Sequence, residues 1–224
     1  MARDAKPKLT LKLPSLPPVG CDALGEIVFV DDADYGDFVL SRASLIGQAF
    51  SLLVIERARF ENVRCNSFIL NKPRLADLRL ENCDLSNAQW CEGKLSRIEI
   101  VDSKMTGFRA VDSELSDCLF QNCSGELMQF HGSVFKKCLF KNCQFKTADF
   151  RFCNLEGCVF LDCDLHDVEY YDAKLSGTDF RGSYMAGLKV HPGDLQGVVL
   201  DGDQASFLGR YFANLLGVDV REDV

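Results

Sequence analysis

The sequence lacks the features that mark a nucleic-acid binder or a membrane protein. Lys and Arg number 25 against 33 Asp and Glu, which gives a formal net charge of -8. Because binding to phosphates needs a basic footprint, this balance argues against direct contact with DNA or RNA. Residues 1–18 contain no apolar signal core, and no later run is long enough to span a bilayer. We therefore expect a cytoplasmic protein with no membrane contact.

Cysteine is abundant, but its arrangement does not favour disulfides. The count of eleven is odd, no CxxC pair occurs, and no export signal precedes them. Eight of the eleven occupy positions whose numbers end in 3 or 8, namely Cys83, Cys118, Cys123, Cys138, Cys143, Cys153, Cys158 and Cys163. This spacing indicates an internal repeat. Free cysteine packs as a small hydrophobe, so we expect core positions, with metal binding as the lesser alternative.

The repeat has a period of five residues. Every fifth residue from Tyr35 to Leu200 is apolar or aromatic, with Gly125 as the exception. The residue two positions before each of these centres is usually Ala, Cys or Ser, and the other three positions are mostly polar. A period of five matches neither the 3.6 of an α-helix nor the 2 of a simple strand. Both ordinary templates therefore fail, and a repeat architecture is predicted.

Residues 33–202 resemble the pentapeptide-repeat family. The segments that match its pattern of small, Asp or Asn, Leu or Phe, polar, and variable residues include CDLSN (83–87), CQFKT (143–147), CNLEG (153–157) and TDFRG (178–182). The resemblance implies an all-β solenoid, a right-handed quadrilateral β-helix with four units in each coil. Stacked strands lie about 4.8 Å apart, so about eight coils would form a rod of roughly 40 Å.

Stacking at a spacing of twenty residues predicts which side chains form columns along the rod. Two cysteine columns are expected, Cys118, Cys138, Cys158 and Cys123, Cys143, Cys163. A corner column is also expected, consisting of Asn62, Asn82, Asp102, Asn122, Asn142 and Asp162. Asn and Asp tolerate turn conformations and bond to nearby backbone, so we interpret this column as a structural turn ladder.

Departures from the pattern should affect the core locally. Trp90 is large for a centre, but Ala110 lies one coil later and Phe108 fills the adjacent small-residue position, so the total volume is conserved. Gly125 places no side chain inward, and Pro73 cannot donate a hydrogen bond to a ladder. We expect irregularity at both, with Gly125 as the more flexible point.

The two ends differ from the repeat. Residues 1–32 form an N-terminal segment and an irregular cap, in which Pro14, Pro17 and Pro18 prevent regular structure. Residues 203–224 form a C-terminal helix and tail, with Asp203 as the expected N-cap of a helix from Gln204 to about Leu216. Its apolar residues exceed what a cap needs and predict a two-fold homodimer interface of Phe207, Leu208, Tyr211, Phe212, Leu215 and Leu216.

The tail further resembles the bacterial quinolone-resistance branch of the family. That resemblance implies a dimeric rod that binds a type II topoisomerase, DNA gyrase or topoisomerase IV, by imitating duplex DNA, and so confers fluoroquinolone resistance. Charges counted by side show no strongly acidic face, which weakens the case for mimicry. The alternative is a dimeric scaffold for another protein partner.

The sequence gives no support for catalysis. It contains no G-x-S-x-G, no Gly-rich phosphate loop after a strand and no H-E-x-x-H. His131 and His191 share a column but lie three coils apart, roughly 14 Å, and His166 is on another side. We therefore expect no enzyme, no catalytic residue, no cofactor and no metal site.

Overall fold

The computed structural model describes residues 9–18, 23–24 and 27–221, and it is a parallel β-solenoid followed by one α-helix. The strands are β1 (Ala23–Leu24), β2 (Asp34–Ser41), β3 (Ala49–Ser51), β4 (Val54–Glu61), β5 (Ile69–Asn71), β6 (Arg74–Glu81), β7 (Gln89–Cys91), β8 (Lys94–Val101), β9 (Glu114–Ser116), β10 (Leu119–Gln121), β11 (Val134–Lys136), β12 (Leu139–Lys141) and β13 (Val159–Leu161). A 3-10 turn, Pro192–Leu195, precedes α1, Gly202–Leu215. No helix of the described residues is long and apolar enough to cross a membrane.

Successive coils pair in parallel at a spacing of twenty residues, as the periodicity predicted. One column can be followed from Val39 to Val199 through Arg59, Arg79, Glu99, Leu119, Leu139, Val159 and Asp179. It makes eight steps, since 199 minus 39 is eight times twenty, so the solenoid has about eight coils. At about 4.8 Å for each step the ladder is about 38 Å long.

The corners of the coil place residues in the left-handed region. Asn62, Asn82, Asp102, Asn122 and Asn142 all have φ between 49° and 57°. Asn and Asp adopt this conformation more readily than other non-glycine residues do. Asn142 Nδ2 donates to Asn122 Oδ1 and Asn122 Nδ2 donates to Asp102 Oδ1, each at 2.8 Å. The column is therefore a structural turn ladder, as predicted.

The small inward residues donate a hydrogen bond to the preceding coil. Thr178 Oγ1 and Ser133 Oγ reach the carbonyl oxygens of Leu155 and Ala110, twenty-three residues earlier, at 2.8 and 2.6 Å. Cysteine thiols make the same contact more weakly, at 3.3 to 3.9 Å for Cys83, Cys118, Cys123, Cys138, Cys143, Cys158 and Cys163, and at 2.9 Å for Cys153. A short side chain with a donor is therefore the chemistry that this position favours.

The cysteines of the columns are buried and free. Burial raises the pKa of Cys83 to about 11 and that of Cys153 to about 12. These two thiols are therefore protonated at neutral pH. The burial of the column cysteines agrees with the core-packing interpretation.

Aromatic centres stack along the axis of the solenoid. The ring centroids of Phe120 and Phe140 are 4.9 Å apart, and those of Phe140 and Phe160 are 4.4 Å apart, with nearly parallel planes. A second stack joins Phe130, Phe150 and Tyr170 at 5.1 and 5.4 Å. All of these side chains are buried. Such rings contribute more to stability than their buried area alone.

The irregular centres are compensated by neighbours. Trp90 packs edge-on against Phe108 at 5.3 Å, and Phe108 and Ala110 are buried as predicted. The space at Gly125 is filled by the Met128 thioether, whose sulfur would clash with a Cβ at position 125. The expected flexible point at Gly125 is therefore a packed position, because methionine occupies a site that is small elsewhere.

Each end of the solenoid has a cap. At the N-terminal end Phe29 is buried, with ring centroids 4.9 Å from Tyr35 and 5.9 Å from Phe50. Before it, β1 pairs with β2 at a spacing of sixteen residues, Ala23 with Val39, so the first coil is shorter than the others. An open coil end would expose core and unpaired strand groups, and these elements cover it.

At the C-terminal end α1 begins two residues earlier than predicted. Its N-cap is Asp201 rather than Asp203, since the Asp201 carboxylate accepts from Gln204 N–H and the Gln204 side chain accepts from Asp201 N–H. The other Asp201 oxygen accepts from Gly182 N–H at 2.9 Å. Gln204 Nε2 donates to the carbonyl oxygens of Phe180 and Ser183. The helix start thus satisfies backbone groups that another coil would have paired.

Replacing Phe140 with Ala tests the register. The ring is fully buried between Phe120 and Phe160, so the cavity should lower the free energy of unfolding by about 3–5 kcal/mol in urea denaturation. Phe152→Ala is the matched control, because its ring is 55% exposed and its loss should cost less than about 0.5 kcal/mol. A loss below about 1 kcal/mol for Phe140→Ala would contradict the register.

Candidate functional site

The solenoid presents four outward faces, each named here by its first central residue. They are the Tyr35 face, the Leu40 face, the Leu45 face and the Phe50 face, with units that repeat every twenty residues. Central residues point inward, so the chemistry of each face comes from the three polar positions of its units. The long strands β2, β4, β6 and β8 continue from the Tyr35 face to the Leu40 face. A binding partner would contact these flat surfaces.

Charges alternate along the corner between the Tyr35 and Leu40 faces. Asp37, Arg57, Asp77, Arg97 and Asp117 follow one another at twenty-residue steps. Arg57 donates two hydrogen bonds to Asp37 at 2.6 and 2.7 Å, and Arg97 donates two to Asp77 at 2.7 Å. These bonds lower the pKa of both carboxyl groups. The carboxylates are ionised but neutralised by their neighbours.

The other faces show the same pairing. On the Leu40 face Arg79 contacts Glu99 at 2.7 Å and Glu81 at 2.9 Å. On the Phe50 face Glu169 contacts Lys189 at 2.8 Å and Arg151 at 3.4 Å. Each pair joins residues of the same coil or of adjacent coils. The net charge of -8 is therefore dispersed over the rod. This agrees with the expectation that no face is strongly acidic.

The Leu40 face also carries an apolar stripe. Leu119, Leu139 and Val159 occupy successive outward positions of one column, and Val101 and Leu161 flank it. Leu119 and Leu139 are half-buried, and Val159 is 5% exposed. Exposed apolar residues on other faces, such as Leu127 and Phe152, occur singly in their columns, whereas here three apolar residues follow one another.

An extended N-terminal segment, residues 9–18, lies lengthwise along the solenoid, and we call it the strap. Lys12 N–H donates to Asp117 Oδ1 at 3.0 Å, and Ser15 N–H donates to Asp77 Oδ1 at 2.9 Å. Arg59 Nε donates to the carbonyl oxygen of Pro17, a buried residue, at 3.2 Å. The strap therefore runs along the Asp37–Asp117 corner and onto the Leu40 face, crossing coils at right angles to their strands.

Sequence reasoning did not find the strap, although a signal exists. Leu9, Leu11 and Leu13 alternate with polar residues, which is a strand-like pattern. Leu9 and Leu11 are half-buried, while Leu13, just before Pro14, is 72% exposed. The strap leaves the Leu45 and Phe50 faces as the larger open surfaces among the described residues.

Replacing Asp77 with Asn should loosen the strap. The substitution weakens the charged anchor of Ser15 by about 1 kcal/mol, which corresponds to about fivefold faster trypsin cleavage after Lys12. Asp37→Asn is the matched control, since Asp37 pairs with an arginine in the same column but makes no bond to the strap among the described contacts. Equal cleavage rates in the two variants would contradict this anchoring.

The C-terminal helix separates the residues predicted for a dimer interface into three groups. Leu208 is 7% exposed and belongs to the core, so it is unavailable to a second chain. Phe207, Tyr211 and Phe212 are partly buried against the core. Leu215 and Leu216 are 59% and 81% exposed.

Two further apolar residues follow Leu215 and Leu216 in the chain and are also exposed, Val218 at 53% and Val220 at 48%. Sequence reasoning missed both, because it stopped at the end of the helix. Their alternation with Asp219 and Arg221 in the sequence was the available signal.

Comparison with known proteins identifies the family. Residues 79–150 and 133–206 match the pentapeptide repeat region family, and together they cover more than half of the chain. The protein therefore belongs to the pentapeptide-repeat family. No curated protein matches its sequence.

Two solved structures are similar to parts of this chain. HetL of the cyanobacterium Nostoc sp. strain PCC 7120, involved in heterocyst differentiation regulation, is 15% identical over 75% of this chain and 85% of its own, with a TM-score of 0.44. QnrB1, a plasmid-mediated fluoroquinolone resistance protein, is 16% identical over 78% of this chain and 99% of its own, also with a TM-score of 0.44. These values are too low to support a conclusion on function.

Proposed function

We propose that the protein is a non-enzymatic, dimeric rod that binds a type II topoisomerase, DNA gyrase or topoisomerase IV, in the place of duplex DNA. By this binding it would confer fluoroquinolone resistance. The observation that carries the proposal is the unbroken ladder from Val39 to Val199, in which no loop interrupts the faces. A straight, regular rod is the shape that a groove built for duplex DNA accepts.

Length and charge support this proposal. The ladder of about 38 Å would become a rod of roughly 80 Å if two chains joined at their C-terminal ends. The net charge of -8 in each chain would attract the phosphate-binding surface of a topoisomerase. The Leu45 and Phe50 faces, which the strap leaves open, are the surfaces that we assign to this contact.

The dimer would form through the exposed apolar end of the chain. Leu215, Leu216, Val218 and Val220 are all about half exposed or more. Their burial between two copies would remove apolar surface from water, at about 25 cal/mol for each Å². Phe207, Tyr211 and Phe212 would border this contact, since they are partly buried against their own core.

A second candidate is a dimeric scaffold for another protein partner. The ion pairs of the corner column favour it, because neutralised carboxylates imitate phosphates poorly. The half-buried Leu119 and Leu139 of the apolar stripe also favour it, since apolar surface suits a protein partner better than a DNA-binding groove. The two functions predict different behaviour with purified topoisomerases.

Supercoiling by purified gyrase separates these functions. Protein titrated into the reaction, with and without a fluoroquinolone, should inhibit supercoiling or restore it in the presence of the drug at micromolar concentration or below. Topoisomerase IV decatenation should be measured in parallel, with a DNA mobility-shift assay as the control for direct DNA binding. No effect on either enzyme would contradict topoisomerase binding and favour the scaffold.

Leu216→Asp tests the dimer. Leu216 is the most exposed of these residues, so a charge there should prevent association without disturbing the cap, and analytical ultracentrifugation should show a monomer. Leu13→Asp, at the exposed strap residue, is the matched control and should remain dimeric. An unchanged dimer in Leu216→Asp, or a monomeric wild type, would contradict the proposed interface.

A further inference from the structure

The twenty-residue register ends close to a group of metal-ligating side chains. His191 directly precedes the 3-10 turn Pro192–Leu195, which carries Asp194. Asp172 lies at a corner of the preceding coil, next to Tyr171, whose ring contacts that of His191 at a tilt of 50°. Each of the residues Asp172, His191 and Asp194 offers one ligand atom, and these three atoms lie within 4.8 Å of one another. We propose that these three residues bind a divalent transition-metal cation, with Zn²⁺ as the best fit.

The distances suit a single ion. Zn²⁺ takes carboxylate oxygen and imidazole nitrogen at about 2.0–2.2 Å, so the ligand atoms around a tetrahedral ion lie about 3.4 Å apart. Movements of up to about 1.4 Å, in side chains that are exposed or half-buried, would complete the coordination. Exposed rotamers make such adjustments at low cost.

Two of the three ligands are already oriented. Asp172 N–H donates to Asp194 Oδ2 at 3.0 Å, which fixes the carboxylate beside the corner and leaves its Oδ1 available. The His191 ring packs against Tyr171 with centroids 4.8 Å apart. Contacts of this kind hold metal ligands in position in known sites.

Charge gives an independent reason for a cation. Among the residues that the structure describes, no Lys or Arg forms an ion pair with Asp172 or Asp194, whereas Asp149 and Glu169 on the same face are both paired. The nearby Arg151 is bound to Asp149 and Glu169. Two carboxylates that face each other without a counter-charge repel, and a divalent cation between them removes this cost.

The donor set selects the kind of metal. One imidazole and two carboxylates favour transition metals over Mg²⁺ and Ca²⁺, which prefer oxygen ligands alone. Three protein ligands leave one tetrahedral position for water. The ion would join the corner at Asp172 to the turn that leads into α1, beside a groove lined by Phe152, Tyr211 and Leu215. We assign it a structural role, fastening the capped end of the rod.

Metal binding can be measured on the full-length, untagged protein. Co²⁺ added to the metal-free protein should give the weak visible bands of a tetrahedral oxygen and nitrogen site, and Zn²⁺ should displace it at one equivalent. Zn²⁺ should also raise the unfolding midpoint. In His191→Gln and in Asp194→Asn the Zn²⁺ affinity should fall at least tenfold, which is more than about 1.4 kcal/mol.

His131→Gln is the matched control, because His131 occupies the same column three coils earlier and packs on Phe152. It should bind Zn²⁺ like the wild type. Absence of binding, equal affinity in His191→Gln, or an intense thiolate-to-cobalt band that assigns the metal to the cysteines would each overturn the proposal. None of these outcomes depends on a topoisomerase.

Discussion

The structure depends on one constraint, the hydrogen bonding of each residue to its counterpart in the adjacent coils. Leu45 N–H donates to Arg64 O, Cys65 N–H to Asp84 O and Leu85 N–H to Lys104 O, always nineteen residues ahead. Because the coils after the first all have the same length of twenty residues, residues twenty positions apart form a column. The turn ladder, the aromatic stacks, the cysteine columns and the charge-paired corner are all consequences of this register. A local change in volume must then be compensated within the same column or beside it, as Met128 does for Gly125.

A second set of contacts explains why the inward small residue is so often Cys, Ser or Thr. Each can donate to the carbonyl of a residue twenty-three positions earlier, and Ala, which also fits, cannot. A hydroxyl bond of this kind contributes about 1 kcal/mol, and a thiol bond less, while both fill the core without a void. The many cysteines are therefore an outcome of packing between coils. Burial raises the pKa of Cys83 and Cys153, which makes these two thiols poor nucleophiles at neutral pH.

Much of the fold could be predicted from the sequence because the register makes distant residues equivalent. The columns, the core positions and the exchange of volume between Trp90 and Phe108 follow from counting in steps of five and twenty. The features that the sequence did not predict lie at the ends of the chain, where the five-residue repeat stops. The strap makes its contacts across coils, Asp201 replaces Asp203 as the cap because its carboxylate also binds Gly182, and Leu208 turns toward the core. Asp172 and Asp194 differ by twenty-two residues, so periodic counting does not bring them together.

The twenty-residue register determines the rod and with it the flat faces available to a partner. Deleting residues 131–150 removes one whole coil and places Phe120 against Phe160 and Phe130 against Tyr170. Deleting residues 131–149 removes nearly the same mass but shifts every later column by one position, which turns inward side chains outward. The account predicts that urea unfolding, followed by circular dichroism, remains a single cooperative transition for the first variant and that the second variant fails to fold. Equal behaviour of the two variants would contradict it.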